Sequence, residues 1–524
     1  MVYRGRPSTG CRRCRERKIL CDERQESCLR CGDRGITCPG YDRTVDAFFH
    51  DETANVRAKA RKSKAKAIAA RDARDAQERG HATFKTHGLP RKNLVAPLKE
   101  QGINFFMANY TSGLDQPLVT SPAYHQHVST HGIHPLVATT MTALGIAGLS
   151  NQYKDPYLKG HATRCYVDAI AMANTAISSP DEVRNDTTLL AVNILSMFEA
   201  TFNDSSLSGW SSHVEGAALL VRLRGLDQFS TCAGRRMYLH TIGLLATNCM
   251  GSNIPMPAYI QELNRQVVQY LDLEDLRHAF FFLHIKTNDL RARILDQPVV
   301  DLQGTIDEVL ELDAMAVSIL SDTNTAWQYD IVSCSGVEPG VYGDYYHVYP
   351  SHAVAQTWEW ARYNRIYFHD IIRNCILHGF ATSPPILVGQ EYVDLLERSA
   401  RLLLQMQSDI IASMPQFFHD IPNSFSNKCY GNHVSNDAAE ERLPIIRITG
   451  GYTTLWSLYV AGSMSTATPS SQDFVLQCLE RVGRQYGINH AKVLAHALRR
   501  KRKMDSTEEM AFTICPQYLP VVYG

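Results

Sequence analysis

The sequence predicts a mostly α protein in three parts: a small N-terminal domain organised by cysteines and metal, a basic linker, and a large all-α helical domain. Three observations carry this. Six of the 14 cysteines fall between Cys11 and Cys38 at a duplicated spacing. The formal net charge is zero but unevenly spread: residues 1–100 hold 24 Lys+Arg and 13 Asp+Glu, against 29 and 40 in the remainder. Beyond about residue 101, apolar residues recur at helical spacing and strand-like alternation is nearly absent. The parts run over 1–41, 42–100 and 101–504, with a tail over 505–524. At 524 residues the chain is too long for one ordinary core. At 44% hydrophobic and 20% charged, most of it can fold. No apolar run reaches the roughly 18 residues of a membrane span, and the first ten residues, MVYRGRPSTG, lack the apolar stretch of a secretory signal. A reducing compartment is therefore expected, with thiols serving as metal ligands or buried apolar groups rather than disulfides.

The head reads Cys11-x2-Cys14-x6-Cys21-x6-Cys28-x2-Cys31-x6-Cys38, the unit C-x2-C-x6-C twice. A C-x2-C pair puts two thiolates on one side of a tight turn, close enough to grip one tetrahedral ion. Two zinc ions with separate ligands need eight thiolates. Six suffice if two sulfurs are shared, and the resulting charge of −2 is offset by Arg12, Arg13, Arg15, Arg17 and Lys18. A disulfide staple, or a zinc-stabilised interaction module that does not touch DNA, would use the same cysteines. The interleaved bases favour phosphate contact instead.

The stretches CRRCRERKILCD and CLRCGDRGITCPGY resemble the fungal Zn(2)-Cys(6) binuclear cluster transcription factors. The resemblance implies two Zn²⁺ held by Cys11, Cys14, Cys21, Cys28, Cys31 and Cys38, with Cys11 and Cys28 bridging. It implies two halves of short helix and extended strand related by a pseudo-twofold axis, the first helix presenting its C-terminal end to the major groove. Lys18 matches the family's base-contacting lysine, and Arg15 and Arg17 its basic neighbours, which makes the implied partner duplex DNA with CGG-type half-sites. Two positions depart from the pattern: Glu26 replaces the usual proline two residues before the fourth cysteine, and Leu20 replaces the usual base before the third.

The connector is rich in alanine and charge, suiting a solvated helix around 52–79. Residues 57–66 hold six bases and no acid, suited to nuclear import or to further phosphate contacts. A coiled coil is not expected: with Val56 at position a, the seam continues through Lys59, Ser63 and Lys66, too polar to hold two strands. A DNA-bound monomer, or a homodimer through the helical domain, is expected instead.

In the body, helices are expected over 155–178, from Asp186 as cap through TTLLAVNILSMFEATF, over 213–224 with Gly225 as the stop, and near 233–250, 281–296, 352–378, 389–413, 451–463, 471–486 and 489–503. Residues 324–350, with Gly336, Pro339, Gly340 and Gly343 among tyrosines, suggest a long aromatic loop, and 423–437 a polar connector. HVEGAALLVRLRG, MFEATF, WEWARYNRIYFHDII, GGYTTLWSLYVAG and GINHAKVLAHAL resemble, in this order, the fungal-specific regulatory domain that accompanies such clusters. That implies an all-α body that regulates activity, dimerisation or contact with the transcription machinery and co-regulators.

No GxxxxGK[ST], HExxH, GxSxG or strand-linked GxGxxG occurs, so no enzyme is expected. The eight later cysteines form no CxxC pair and suit small buried positions. His284 and His369 fit core or surface roles better than catalytic ones. Trp358, Trp360 and Trp456 could line a pocket, though packing is preferred. The basic run 499–503 suits a second import signal or a helix end, and the following MDSTEEMAF resembles a short acidic-hydrophobic activation segment. The expected whole is a nuclear, zinc-dependent, sequence-specific transcription regulator, with control of a metabolic or secondary-metabolite gene set at family level only.

Overall fold

The computed structural model describes residues 10–24, 27–40, 96–110, 132–273, 275–321, 327–334, 340–418, 451–505 and 514–515. The chain divides into two units, Met1–Leu94 and Val95–Gly524. The helix expected over 52–79, the basic run 57–66, Glu26, Cys429, the connector 423–437 and most of the tail lie outside the described residues.

In the first unit the duplicated spacing becomes a duplicated structure. Helix α1 (Arg12–Glu16) and helix α2 (Leu29–Gly32) each contain the second cysteine of a C-x2-C pair. Both turns close alike. The Ile19 N–H donates to the Cys14 carbonyl at 3.1 Å, and the Ile36 N–H to the Cys31 carbonyl at 3.1 Å. The residue before each donor is left-handed: Lys18 at φ 54° and Gly35 at φ 63°. This is a glycine-type helix stop, built once with glycine and once with lysine. The expected strands are not regular: no strand is assigned over the described residues that follow either helix. Asp22 instead accepts from the Leu29 N–H at 3.0 Å, tying the first half to the start of the second.

The second unit is helical nearly throughout, with α3 (Leu98–Asn109), α4 (Pro135–Tyr153), α5 (Pro156–Ser178), α6 (Asp186–Phe202), α7 (Ser208–Arg224), α8 (Cys232–Ser252), α9 (Ala258–Val267), α10 (Leu276–Asp296) and α11 (Leu302–Ser321). After a hairpin come α12 (His352–Ala381), α13 (Gln390–Phe418), α14 (Leu455–Ser463), α15 (Pro469–Gln485) and α16 (His490–Asp505). No described helix is long and apolar enough to cross a membrane. Asp155 caps α5 as a short acceptor should, taking the Tyr157 N–H at 2.8 Å. Gly225, at φ 60°, stops α7. Asp186 does not cap α6. Asn185 holds the cap position and Asp186 pairs with the buried Arg224 of α7.

Four helices lack an expectation: α3, α4, α9 and α11. Helix α3 begins inside the stretch assigned to the linker, and it packs on α4 where two glycines meet. A Cβ on Gly145 would lie 1.8 Å from the Gly102 carbonyl oxygen. Because the obstacle is backbone, it cannot rotate away. Gly145→Ala is expected to destabilise the body by about 1–3 kcal/mol or more through overpacking, measured as a lowered denaturation midpoint. Gly160, on α5 with nothing within 4 Å of its Cβ position, is the control; Gly160→Ala should be neutral or mildly stabilising. Equal effects at the two sites would refute the close crossing.

The aromatic loop is partly a hairpin. Strand β1 (Asp330–Ser333) pairs antiparallel with β2 (Tyr345–Val348), Ile331 opposite His347. The hairpin packs on α13. Gln416 clamps the residue after β2, accepting the Tyr349 N–H at 2.7 Å and donating to its carbonyl at 2.8 Å.

The largest core cluster draws on α6 to α10 and α12 to α16, with Trp210, Tyr238, Phe229, Tyr349 and Phe417 essentially sealed from solvent. A second cluster joins α10, α11 and α12 and includes Cys515. Amphipathic helices hide their stripes this way, with area as the driving term.

Candidate metal centre

The cysteines of the first unit form its only core among the described residues. Cys11, Cys14, Cys28 and Cys31 are at most 4% exposed, and Cys21 and Cys38 are partly buried. They fall into two groups of four, Cys11, Cys14, Cys21 and Cys28, and Cys11, Cys28, Cys31 and Cys38. Within each group all sulfurs lie within 4.8 Å of one another. Cys11 and Cys28 belong to both groups.

The spacings fit a tetrahedral metal. Zn–S bonds of about 2.3 Å set sulfurs about 3.8 Å apart along a tetrahedral edge. Here Cys11 and Cys28 are 3.7 Å apart, Cys14 and Cys28 3.8 Å, and Cys11 and Cys31 3.9 Å. A disulfide needs about 2.05 Å, and all six thiols are free. Burial pushes the Cys14 thiol up to about 12 and the Cys28 thiol higher still. Backbone N–H groups of Cys28 and Gly40 pull the Cys38 thiol down to about 7. Cations would supply the charge that stabilises six crowded thiolates. With four thiolates around each position, no coordination site is left for water, which is the pattern of a structural rather than a catalytic site.

Around this core the bases point to solvent. Arg12, Arg13, Arg17 and Lys18 are exposed, while Arg12 also pairs with Glu16 one turn on at 3.2 Å. Arg15 sits in α1. Lys18 occupies the left-handed position at the C-terminal end of α1. Its counterpart in the second half is Gly35, which has no side chain to offer. The two halves therefore differ in one place: the first carries a cation at this left-handed position, while in the second the exposed Arg34 precedes the glycine.

The body holds groups that could be mistaken for chemistry. Ser399 Oγ lies 3.1 Å from His369 Nδ1, and His369 Nε2 lies 3.3 Å from Asp313 Oδ2. These are the partners of a hydrolase relay, and motif search missed them because they come from three helices. All three are buried, Ser399 completely so, and Asp313 is also bound by Arg365 at 2.6 and 3.1 Å. Burial raises the Asp313 carboxyl, but His369 and Arg365 outweigh it and hold it at about 2. The set is a buried structural network in which Arg365 takes the carboxylate.

His284 is buried and stacks near Trp360. With Tyr363, Tyr367, Trp456 and Tyr459 it lines a cavity of about 20 Å³, room for a single water. Trp358 instead donates to the Trp327 carbonyl at 2.8 Å. Of the later cysteines, Cys249, Cys375, Cys478 and Cys515 are buried as expected; Cys165 and Cys334 are intermediate, and Cys232 is exposed beside Arg235. In the run 499–503, Arg499 pairs with Glu480, Lys501 with Asp505 at 2.8 Å and Arg502 with Asp473.

Comparison with known proteins bears on both units. Residues 9–47 match the family model of the fungal Zn(2)-Cys(6) binuclear cluster domain. Residues 110–273 match that of the fungal specific transcription factor domain. The second match includes MFEATF and HVEGAALLVRLRG and ends before the aromatic helix α12. No curated protein and no solved structure matches the chain. Both matched families are transcription factor domains rather than enzymes.

Proposed function

For a fungal-type transcription regulator that carries a Zn(2)-Cys(6) binuclear cluster domain ahead of a fungal specific transcription factor domain, we propose that the first unit reads CGG-type triplets in the major groove. In this reading Cys11, Cys14, Cys21, Cys28, Cys31 and Cys38 would hold two Zn²⁺, with Cys11 and Cys28 serving both positions. The observation that carries it is the pair of overlapping four-sulfur groups with exposed bases at the end of α1. The zinc ions supply charge neutralisation and hold the two halves together. Lys18 reaches guanine O6 and N7, adjacent acceptors that an ammonium can approach. Arg15 and Arg17 contact phosphates, adding affinity without sequence information.

The division of labour follows the chain: residues 1–41 bind DNA, 42–100 connect, and 101–504 regulate. Residues 505–524 remain as the tail. Nuclear residence suits this work, with the runs 57–66 and 499–503 as the import candidates. In the run 499–503, Arg499, Lys501 and Arg502 are each engaged in an ion pair. A homodimer would form through the helical domain, and co-regulators would meet that domain as well. The gene set is proposed only as metabolic or secondary-metabolite in kind.

Lys18 offers a clean test because its backbone is left-handed, a conformation that costs a non-glycine residue about 1–2 kcal/mol. Lys18→Gly removes the ammonium while suiting the backbone, as Gly35 does in the second half. It is expected to cost about 1–3 kcal/mol on the preferred triplet and to flatten the preference over altered triplets. Arg17→Ala should weaken all duplexes alike and lower the salt slope by about one unit. Binding titrations of the zinc-loaded chain at several salt concentrations measure both. Full triplet discrimination by Lys18→Gly would remove Lys18 from the base-reading role.

A further inference from the structure

Leu20 is 90% exposed, two residues beyond Lys18, in a segment that also exposes Arg12, Arg13, Arg17 and Lys18. Its neighbour Ile19 is 40% exposed. Cys21 turns inward, its sulfur accepting the Cys11 N–H at 3.4 Å, so Leu20 and Cys21 diverge, one outward and one into the cluster. Among the described residues of the head, the core consists of the cysteines and Leu20 is not part of it. The duplication isolates the feature further. In the second half the equivalents of Lys18, Ile19 and Leu20 are Gly35, Ile36 and Thr37, so the half without a cation at the left-handed position also lacks the exposed leucine.

A large apolar side chain held beside the base-reading group of a DNA-binding domain meets a groove that is mostly polar. The apolar group that base edges present in the major groove is the thymine 5-methyl. We propose that Leu20 is a specificity-determining residue that packs against the 5-methyl of a thymine beside the triplet read by Lys18, so that the site extends past the triplet to favour a T·A pair. This rests on the reading of Lys18 as the base contact. The recognition is apolar and local. It therefore acts on thymine and not on uracil, and it does not change the number of phosphates neutralised.

The test alters the DNA rather than the protein. The zinc-loaded full chain is titrated with duplexes in which each thymine flanking the triplet is replaced in turn by uracil, which removes only the methyl. Burial of one methyl corresponds to about three- to fivefold in affinity. The expected result is a loss of that size at one flanking position, with an unchanged salt slope. Leu20→Ala should then bind thymine and uracil duplexes equally, while keeping its zinc and its preference for the triplet. The proposal is overturned if no flanking thymine is sensitive to loss of its methyl, or if the sensitivity survives in Leu20→Ala. Triplet preference without methyl sensitivity would remove Leu20 alone. Loss of triplet preference in the unaltered chain would remove the Lys18 reading, and this inference with it.

Discussion

Cys28→Ser is expected to empty both metal positions and unfold the first unit, whereas Cys38→Ser is expected to leave one position able to bind. The asymmetry comes from geometry, since Cys28 stands in both four-sulfur groups and Cys38 in one. The consequence for folding is large because, among the described residues, the unit has no apolar core apart from its cysteines. Structural zinc contributes about 10–16 kcal/mol of apparent binding free energy in small zinc domains, and that energy is their folding energy. Removal of zinc by a chelator should act as Cys28→Ser does. The measurement is zinc per chain together with protease resistance of the N-terminal unit. Equal zinc loss in the two variants would show that the metals do not share Cys28.

The second large effect lies in the body, at Arg362 of α12. Its side chain is 3% exposed. Its guanidinium donates to Glu359 at 3.0 Å and to the Tyr349 hydroxyl at 2.5 Å, and lies 3.9 Å from Asp409 of α13. The rings of Tyr329, Trp358 and Tyr349 surround it at 5.2, 5.5 and 5.7 Å. One cation thus ties α12, α13 and the hairpin segment together. Burial raises the Glu359 carboxyl to about 7 even with the arginine beside it. Arg362→Met should cost about 3–5 kcal/mol, because the acids stay buried without their cation. Adding Glu359→Gln and Asp409→Asn should recover much of the loss, since the cost is that of stranded charge rather than lost volume. Denaturant titration of the body checks both. A loss below about 1 kcal/mol in the single variant, a typical surface ion-pair value, would show that the cluster does not hold the hairpin.

Legibility followed the range of the interaction involved. Metal coordination needs particular residue types at short fixed intervals, so the spacing of Cys11 to Cys38 gave six ligands with two of them shared, and the family resemblance implied that the shared pair is Cys11 and Cys28. Helix caps and stops are also local, and Asp155 and Gly225 did what their types suggest. Asp186 did not, because Arg224, 38 residues away, engages its carboxylate. The left-handed turn at Lys18 was hidden for a related reason. Its glycine twin Gly35 carried the signal, but the lysine gave none, and only the shared bond pattern of the two halves reveals the equivalence.

Composition and spacing alone established the helical class of the body, the charge split between the first 100 residues and the rest, and the six-sulfur head, because each depends on residue type and near neighbours. The tertiary structure decided the rest. The hairpin exists because β1 finds β2 a dozen residues later and β2 settles on α13, beside a cation from α12. Helix α3 packs where it does because Gly102 meets Gly145 with no side chain between. Asp313, His369 and Ser399 form a network although they lie 30 or more residues apart. Such contacts depend on which surfaces meet once the chain has folded back on itself, and periodicity in a short window carries no information about that meeting.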